Sequence, residues 1–148
     1  DELAANLPML PGVKTLLENA RSAGLKLAIA SSSDRFWVES HLVPLGIKTY
    51  FDFIVTKSEI RNVKPLPDLY QAAMRGLQIL PSEGIAFEDS PNGITAARSA
   101  GLFCVAVPNP ITAQLSVEHA NITIPSLLQA SIQQLQIWAN HHPTPGID

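Results

Sequence analysis

Glu88 and Asp89 are adjacent carboxylates at the end of the apolar run Ile85-Ala86-Phe87, which reads as a short buried strand. Ser90 suits a helix cap and Pro91 its first turn. Ala96, Ala97 and Ala100 favour the helix, and Gly101 suits its end. An acidic pair therefore stands where a strand hands over to a helix, the edge at which open α/β sheets bind ligands. Two neighbouring carboxylates repel each other and lose hydration, a cost that a divalent cation or a lysine would offset. The same acids also fit a plainer role, solvated near a helix N-terminus where negative charge is favoured.

Two other groups have similar positions. Ser31, Ser32 and Ser33 follow the apolar stretch Leu25–Ala30 and precede a helix. Unpaired N–H groups and hydroxyls at such a junction suit a phosphoryl group, although one serine could be an ordinary N-cap. Lys64 lies in Val63-Lys64-Pro65-Leu66-Pro67-Asp68, where two prolines restrict the backbone. A fixed ammonium there could neutralise a phosphoryl oxygen or the acid pair; a solvated loop lysine is the alternative. Arg35, just beyond the serines, is a further polar candidate. The four histidines, His41, His119, His141 and His142, show no metal-binding spacing. Trp37 and Trp138 read as packing residues.

The elements that would position these groups alternate. Helices are expected at 13–23, 34–45, 68–78, 91–100, 113–119 and 127–138. Strands are expected at 25–30, 53–56, 85–87, 102–107 and 122–124. Such alternation means a parallel sheet with helices on its faces. The serines, the lysine and the acids each follow a strand, so a parallel sheet brings all three to one edge. Together they describe a site for phosphate and a divalent cation.

Composition bounds the rest. A chain of 148 residues, 46% hydrophobic and 16% charged, suits one domain with a core. A formal charge of −3 leaves no basic footprint for nucleic acid. No apolar run reaches the ~18 residues of a membrane span. The single cysteine, Cys104, rules out an internal disulfide and fits a reducing, cytoplasmic compartment. The chain opens Asp1-Glu2-Leu3 without a starting methionine or signal peptide and reads as an excised polypeptide.

Three spaced segments resemble the haloacid dehalogenase superfamily, in its β-phosphoglucomutase-like phosphatase branch. Leu27-Ala28-Ile29-Ala30-Ser31-Ser32-Ser33 is similar to its second motif, Val63–Asp68 to its third, and Phe87-Glu88-Asp89-Ser90-Pro91-Asn92-Gly93-Ile94 to its fourth. Leu10-Pro11-Gly12 and Ala100-Gly101-Leu102 also resemble this branch, so the likeness covers about residues 9–109. It implies a three-layer, Rossmann-like α/β core with helices on both faces of a parallel sheet. It also implies Mg²⁺-dependent phosphoryl transfer, as a phosphatase or phosphomutase, on a small phosphorylated metabolite such as a sugar phosphate. Ser31 would bind the transferring group with Lys64; Asp89 would hold the metal, with Glu88 beside it binding the metal or a metal-bound water; Ser32, Ser33 and Arg35 are weaker candidates for substrate phosphate.

The family's first motif, Asp-x-Asp, does not occur in this sequence. The resemblance therefore implies a C-terminal portion lacking the nucleophile strand and the cap domain, inactive alone, whose partner is the missing N-terminal part. Residues 1–10 would be the end of the cap or its return linker, 11–138 the partial core and 139–148 a flexible tail. The strands ending at Ser31 and Glu88 would flank the place of the missing strand and stand roughly 9–10 Å apart rather than pair. The other readings are a receiver-like phosphate-binding domain, whose acids would come first and lysine last, and a non-catalytic remnant.

Overall fold

A computed structural model describes residues 11–141. The lead-in at 1–10 and most of the expected tail lie outside the described residues. The elements, in chain order, are α1 (Val13–Ser22), β1 (Ala28–Ser31), α2 (Arg35–Leu45), β2 (Phe53–Thr56), α3 (Asp68–Leu77), β3 (Ile85–Glu88), α4 (Pro91–Ser99), β4 (Phe103–Ala106), β5 (Ile122–Thr123) and α5 (Ile132–Asn140).

The strands form two parallel sheets, β1-β2 and β3-β4-β5. Ser31 pairs with Thr56 at the end of the first, and Glu88 with Ala106 at the end of β3-β4. Among the described residues β1 and β3 do not pair. Between them lies an apolar slot of about 730 Å³, lined by Ile29 and Ala30 on one side and Ile85, Ala86 and Phe87 on the other. Among the described residues each bordering strand has a partner along one edge alone.

Side-chain alternation along the strands builds the layers. Ala30, Ala86, Cys104 and Ala106 face one core together with Leu69, Ala72 and Ala73 of α3 and Ala96 and Ala97 of α4. Small residues on both surfaces let these helices approach closely. The opposite face carries larger groups. Phe103 and Val105 pack with Leu135 and Trp138 of α5, and Ile29 packs with Leu17 of α1 and Val38 and Leu42 of α2. Val13 touches both of these clusters.

Several boundaries differ from expectation. β1 begins at Ala28 rather than Leu25 because Leu27 spends its N–H on the Asp52 carboxylate, 2.8 Å away. The helix expected at 113–119 is absent: Asn109 Oδ1 accepts from the N–H groups of Ile111 and Thr112, both at 2.8 Å. That side-chain turn competes with helical pairing. The helix expected at 127–138 is a single 3₁₀ turn, Leu127–Gln129, followed by a separate α5 capped by Ser131, whose Oγ accepts from Gln134 N at 3.1 Å. α5 continues through Ala139 and Asn140, so the tail begins later than expected.

Candidate active site at the carboxyl edge of the strands

Four polar residues are buried at the strand ends, Ser31, Thr56, Glu88 and Asp89. Ser31 is the last residue of β1, and its Oγ accepts from Ser33 N at 3.1 Å. α2 is capped by Asp34, whose Oδ1 accepts from Trp37 N at 2.8 Å. The cap is therefore the residue after the serines, so Ser31 ends the strand and Ser32 and Ser33 remain in the loop.

Lys64 joins the other two groups. Its backbone N–H donates to Ser32 Oγ at 3.3 Å, which ties the serine loop to the lysine loop. Its Nζ donates to Glu88 Oε2 at 2.5 Å, with both side chains almost wholly buried. The Lys64–Pro65 peptide is cis.

Tyr70, on the first turn of α3, also donates its hydroxyl to Glu88 Oε2, and Lys64 Nζ lies 5.0 Å from the centre of its ring. Burial, reinforced by the Glu88 charge, holds the Tyr70 phenol well above its ordinary value, so it keeps the proton it donates. Burial also pushes the Glu88 carboxyl up, but the Lys64 ammonium contributes to the opposite shift and the group ends below its ordinary value. Glu88 Oε1 is buried and has no hydrogen-bond partner among the described residues. Gly93 makes room for it, since a methyl group at that position would overlap the Glu88 carboxylate.

Asp89 behaves in the opposite way. Burial, followed by repulsion from Glu88, raises its carboxyl above the ordinary value. Its Oδ2 accepts from Asn109 Nδ2 at 2.9 Å, and Asn109 is itself held by the turn at Ile111 and Thr112.

Serine, lysine and acid loops thus meet at one edge. Arg35 is engaged elsewhere. Its guanidinium bonds Glu59 at 2.9 and 3.1 Å, Glu39 at 3.0 Å and the Ile54 carbonyl at 2.6 Å. Hydrogen bonds to Glu59 and Glu39 raise its already high pKa. Sequence reasoning missed Tyr70 and Asn109. Neither carries a local signal beyond being a polar group next to an apolar strand or a proline turn.

The residues present suit a hard divalent cation. A buried carboxylate oxygen that has no hydrogen-bond partner among the described residues, next to a second buried carboxylate, is the donor chemistry such an ion takes. Among the described residues no group of three or more His, Cys, Asp or Glu converges, so Glu88 and Asp89 would supply part of its ligand shell.

Residues 1–107 match the haloacid dehalogenase-like hydrolase family. The chain is 42% identical over 125 residues to YhcW of Bacillus subtilis, covering 84% of this chain and 57% of that protein. It is 34% identical over 130 residues to validoxylamine A 7'-phosphate phosphatase of Streptomyces hygroscopicus subsp. limoneus, covering 80% and 61%. Its fold superposes on β-phosphoglucomutase from Clostridium difficile with a TM-score of 0.79 at 32% identity, covering 90% of this chain and 57% of that one. The fold and the matched residues define an α/β core of the Rossmann-like kind. The chain belongs to the haloacid dehalogenase-like hydrolases, in the phosphoglucomutase-like branch. It spans a little over half the length of these relatives.

Proposed function

We propose that this chain is the C-terminal part of the catalytic core of a Mg²⁺-dependent phosphatase or phosphomutase acting on a small phosphorylated metabolite, such as a sugar phosphate. The observation that carries this reading is the buried Glu88–Asp89 pair, with one Glu88 oxygen held by Lys64 and the other without a partner. The names of the relatives, a phosphatase of a sugar-like phosphate and a phosphoglucomutase, support the substrate class.

Ser31 binds the transferring phosphoryl group through its hydroxyl and the N–H groups of the loop that follows. Lys64 adds positive charge between that loop and the acids, the preorganised stabilisation that phosphoryl transfer relies on. Glu88 and Asp89 hold Mg²⁺, which when bound offsets negative charge on the phosphoryl oxygens. Ser32 and Ser33 line the same loop and are candidates for substrate phosphate. Arg35, spent on Glu39 and Glu59, supports the edge of that loop.

The slot between β1 and β3 takes the family's nucleophile strand, from the N-terminal part of the same enzyme. An aspartate at its end would attack phosphorus and displace the substrate's ester oxygen, which leaves as the alcohol after taking a proton from the second aspartate of the Asp-x-Asp motif; water or a second hydroxyl would then displace the carboxylate from phosphorus, giving free phosphate or a new phosphate ester. Among the described residues both bordering strands have an open edge facing the slot, and its apolar lining fits a buried parallel strand. The buried, unpaired Cys104 supports a cytoplasmic setting. Among the described residues no helix is long and apolar enough to cross a membrane.

The test is phosphate release from a panel of sugar phosphates by the full-length gene product, with Mg²⁺ and with excess chelator. Release that depends on Mg²⁺ supports the reading. Equal release with and without the metal, or none on any phosphomonoester, overturns it.

A further inference from the structure

We infer that Tyr70 is a positioning residue that makes the Glu88–Asp89 cation site discriminate Mg²⁺ from Ca²⁺; this rests on the reading of that pair as a cation site. The two oxygens of Glu88 have different surroundings. Oε2 receives Lys64 Nζ and the Tyr70 hydroxyl together, and a carboxylate oxygen has about two lone-pair positions to offer. Among the described residues Oε1 has no hydrogen-bond partner although it is buried. Glu88 can therefore approach a cation through Oε1 alone.

One-oxygen coordination has a chemical consequence. Mg²⁺ requires near-octahedral geometry at ~2.0–2.1 Å and takes carboxylates one oxygen at a time. Ca²⁺ takes six to eight oxygens, commonly with both oxygens of one carboxylate. A glutamate whose second oxygen is fully engaged suits Mg²⁺ and denies Ca²⁺ its two-oxygen mode.

Tyr70 is the removable half of this lock. Lys64 has a second function in the proposed site, next to the phosphoryl group. Tyr70 reaches Glu88 from α3, and its ring lies in the core with Ala30 and Ala86. Its hydroxyl bonds the acid and its ring packs, so Tyr70→Phe separates the two roles. Gly93 leaves the space that Oε1 occupies, because a side chain there would push the carboxylate from its place. Outer partners of metal ligands of this kind typically carry 10–100-fold in metal affinity.

The experiment compares wild type, Tyr70→Phe and Glu88→Gln in the full-length protein. Mg²⁺ and Ca²⁺ affinities are measured by displacement of bound Mn²⁺, followed by its electron paramagnetic resonance signal without substrate. Thermal unfolding of each variant is recorded in parallel. Tyr70→Phe is expected to lower the Mg²⁺-to-Ca²⁺ affinity ratio about tenfold, and Glu88→Gln to weaken both ions. A purely structural role for Tyr70 would lower the unfolding temperature and leave the ratio unchanged. An unchanged ratio in Tyr70→Phe, with cation binding weakened in Glu88→Gln, overturns the proposal and leaves the cation site standing. Unchanged cation binding in Glu88→Gln overturns the cation site and this proposal with it.

Discussion

Lys64 and Glu88 are 24 positions apart in sequence, yet Nζ and Oε2 are 2.5 Å apart and the two side chains are 6% and 1% exposed. The pair joins the loop before α3 to the end of β3. Removing one partner of a buried ion pair leaves an uncompensated charge and costs about 3–5 kcal/mol, whereas replacing both with apolar groups is often neutral. Lys64→Met is therefore expected to destabilise the protein by that amount in urea unfolding. The double variant Lys64→Met/Glu88→Leu should recover most of the loss. A double variant as unstable as the sum of the singles would mean that the pair is not coupled.

The two acids should respond to pH in opposite directions. Glu88 lies below its ordinary value when folded. Its stabilisation is complete above the unfolded value of ~4.3 and is lost as pH falls through the folded value. Asp89 lies above its ordinary value because of burial. Its contribution is complete below the unfolded value of ~3.9 and is lost as pH rises through the folded one. Without added metal, Asp89→Asn should thus be more stable than wild type at pH 7, and the difference should vanish below about pH 4. Denaturant midpoints across pH 3–8 check the sign.

Asp89→Asn should also weaken Mg²⁺ binding more than Lys64→Ala does, because the first removes an anionic ligand and the second a neighbouring ammonium. Mg²⁺ titration of both variants in the full-length protein decides this. Equal affinities would mean that the two roles are misassigned.

Gly93→Ala places a methyl group against the Glu88 carboxylate. Overpacking of this kind costs about 1–3 kcal/mol, and the displaced carboxylate should bind cation more weakly. The checks are urea unfolding and Mn²⁺ binding of the variant. A fully stable variant with wild-type binding would show that the helix start can move.

Residues 1–148 alone should show no Mg²⁺-dependent turnover near the ~10 s⁻¹ of a median enzyme. They should also bind a hydrophobic dye through the slot between β1 and β3. Adding the N-terminal part of the enzyme should restore phosphate release and displace the dye. Turnover without it would remove the need for an external nucleophile.

The sequence by itself determined the alternation of helices and strands, and so the parallel architecture. Apolar runs of three to six residues with turn formers between them specify that pattern through local propensity and period. It also placed Ser31, Glu88 and Asp89 at strand ends and Lys64 in a loop that follows a strand, because a parallel sheet sends every such end to one edge. Local propensity was overridden where a side chain, distant or near in sequence, took over a backbone group. Asp52 takes the Leu27 N–H, and the Asn109 turn replaces the helix expected at 113–119.

Tertiary structure decided how the charges are used. No spacing in the sequence states that Lys64 and Tyr70 converge on one oxygen of Glu88, that Asn109 holds Asp89, or that Arg35 is spent on Glu39 and Glu59. Those pairings depend on how α3 and the loops after β2 and β4 pack over the strands. That packing is set by the fit of small residues such as Ala30, Ala73 and Ala97 in one shared core. Non-local contacts of this kind have no periodic trace in the chain, because the partners are fixed by the volume they fill together.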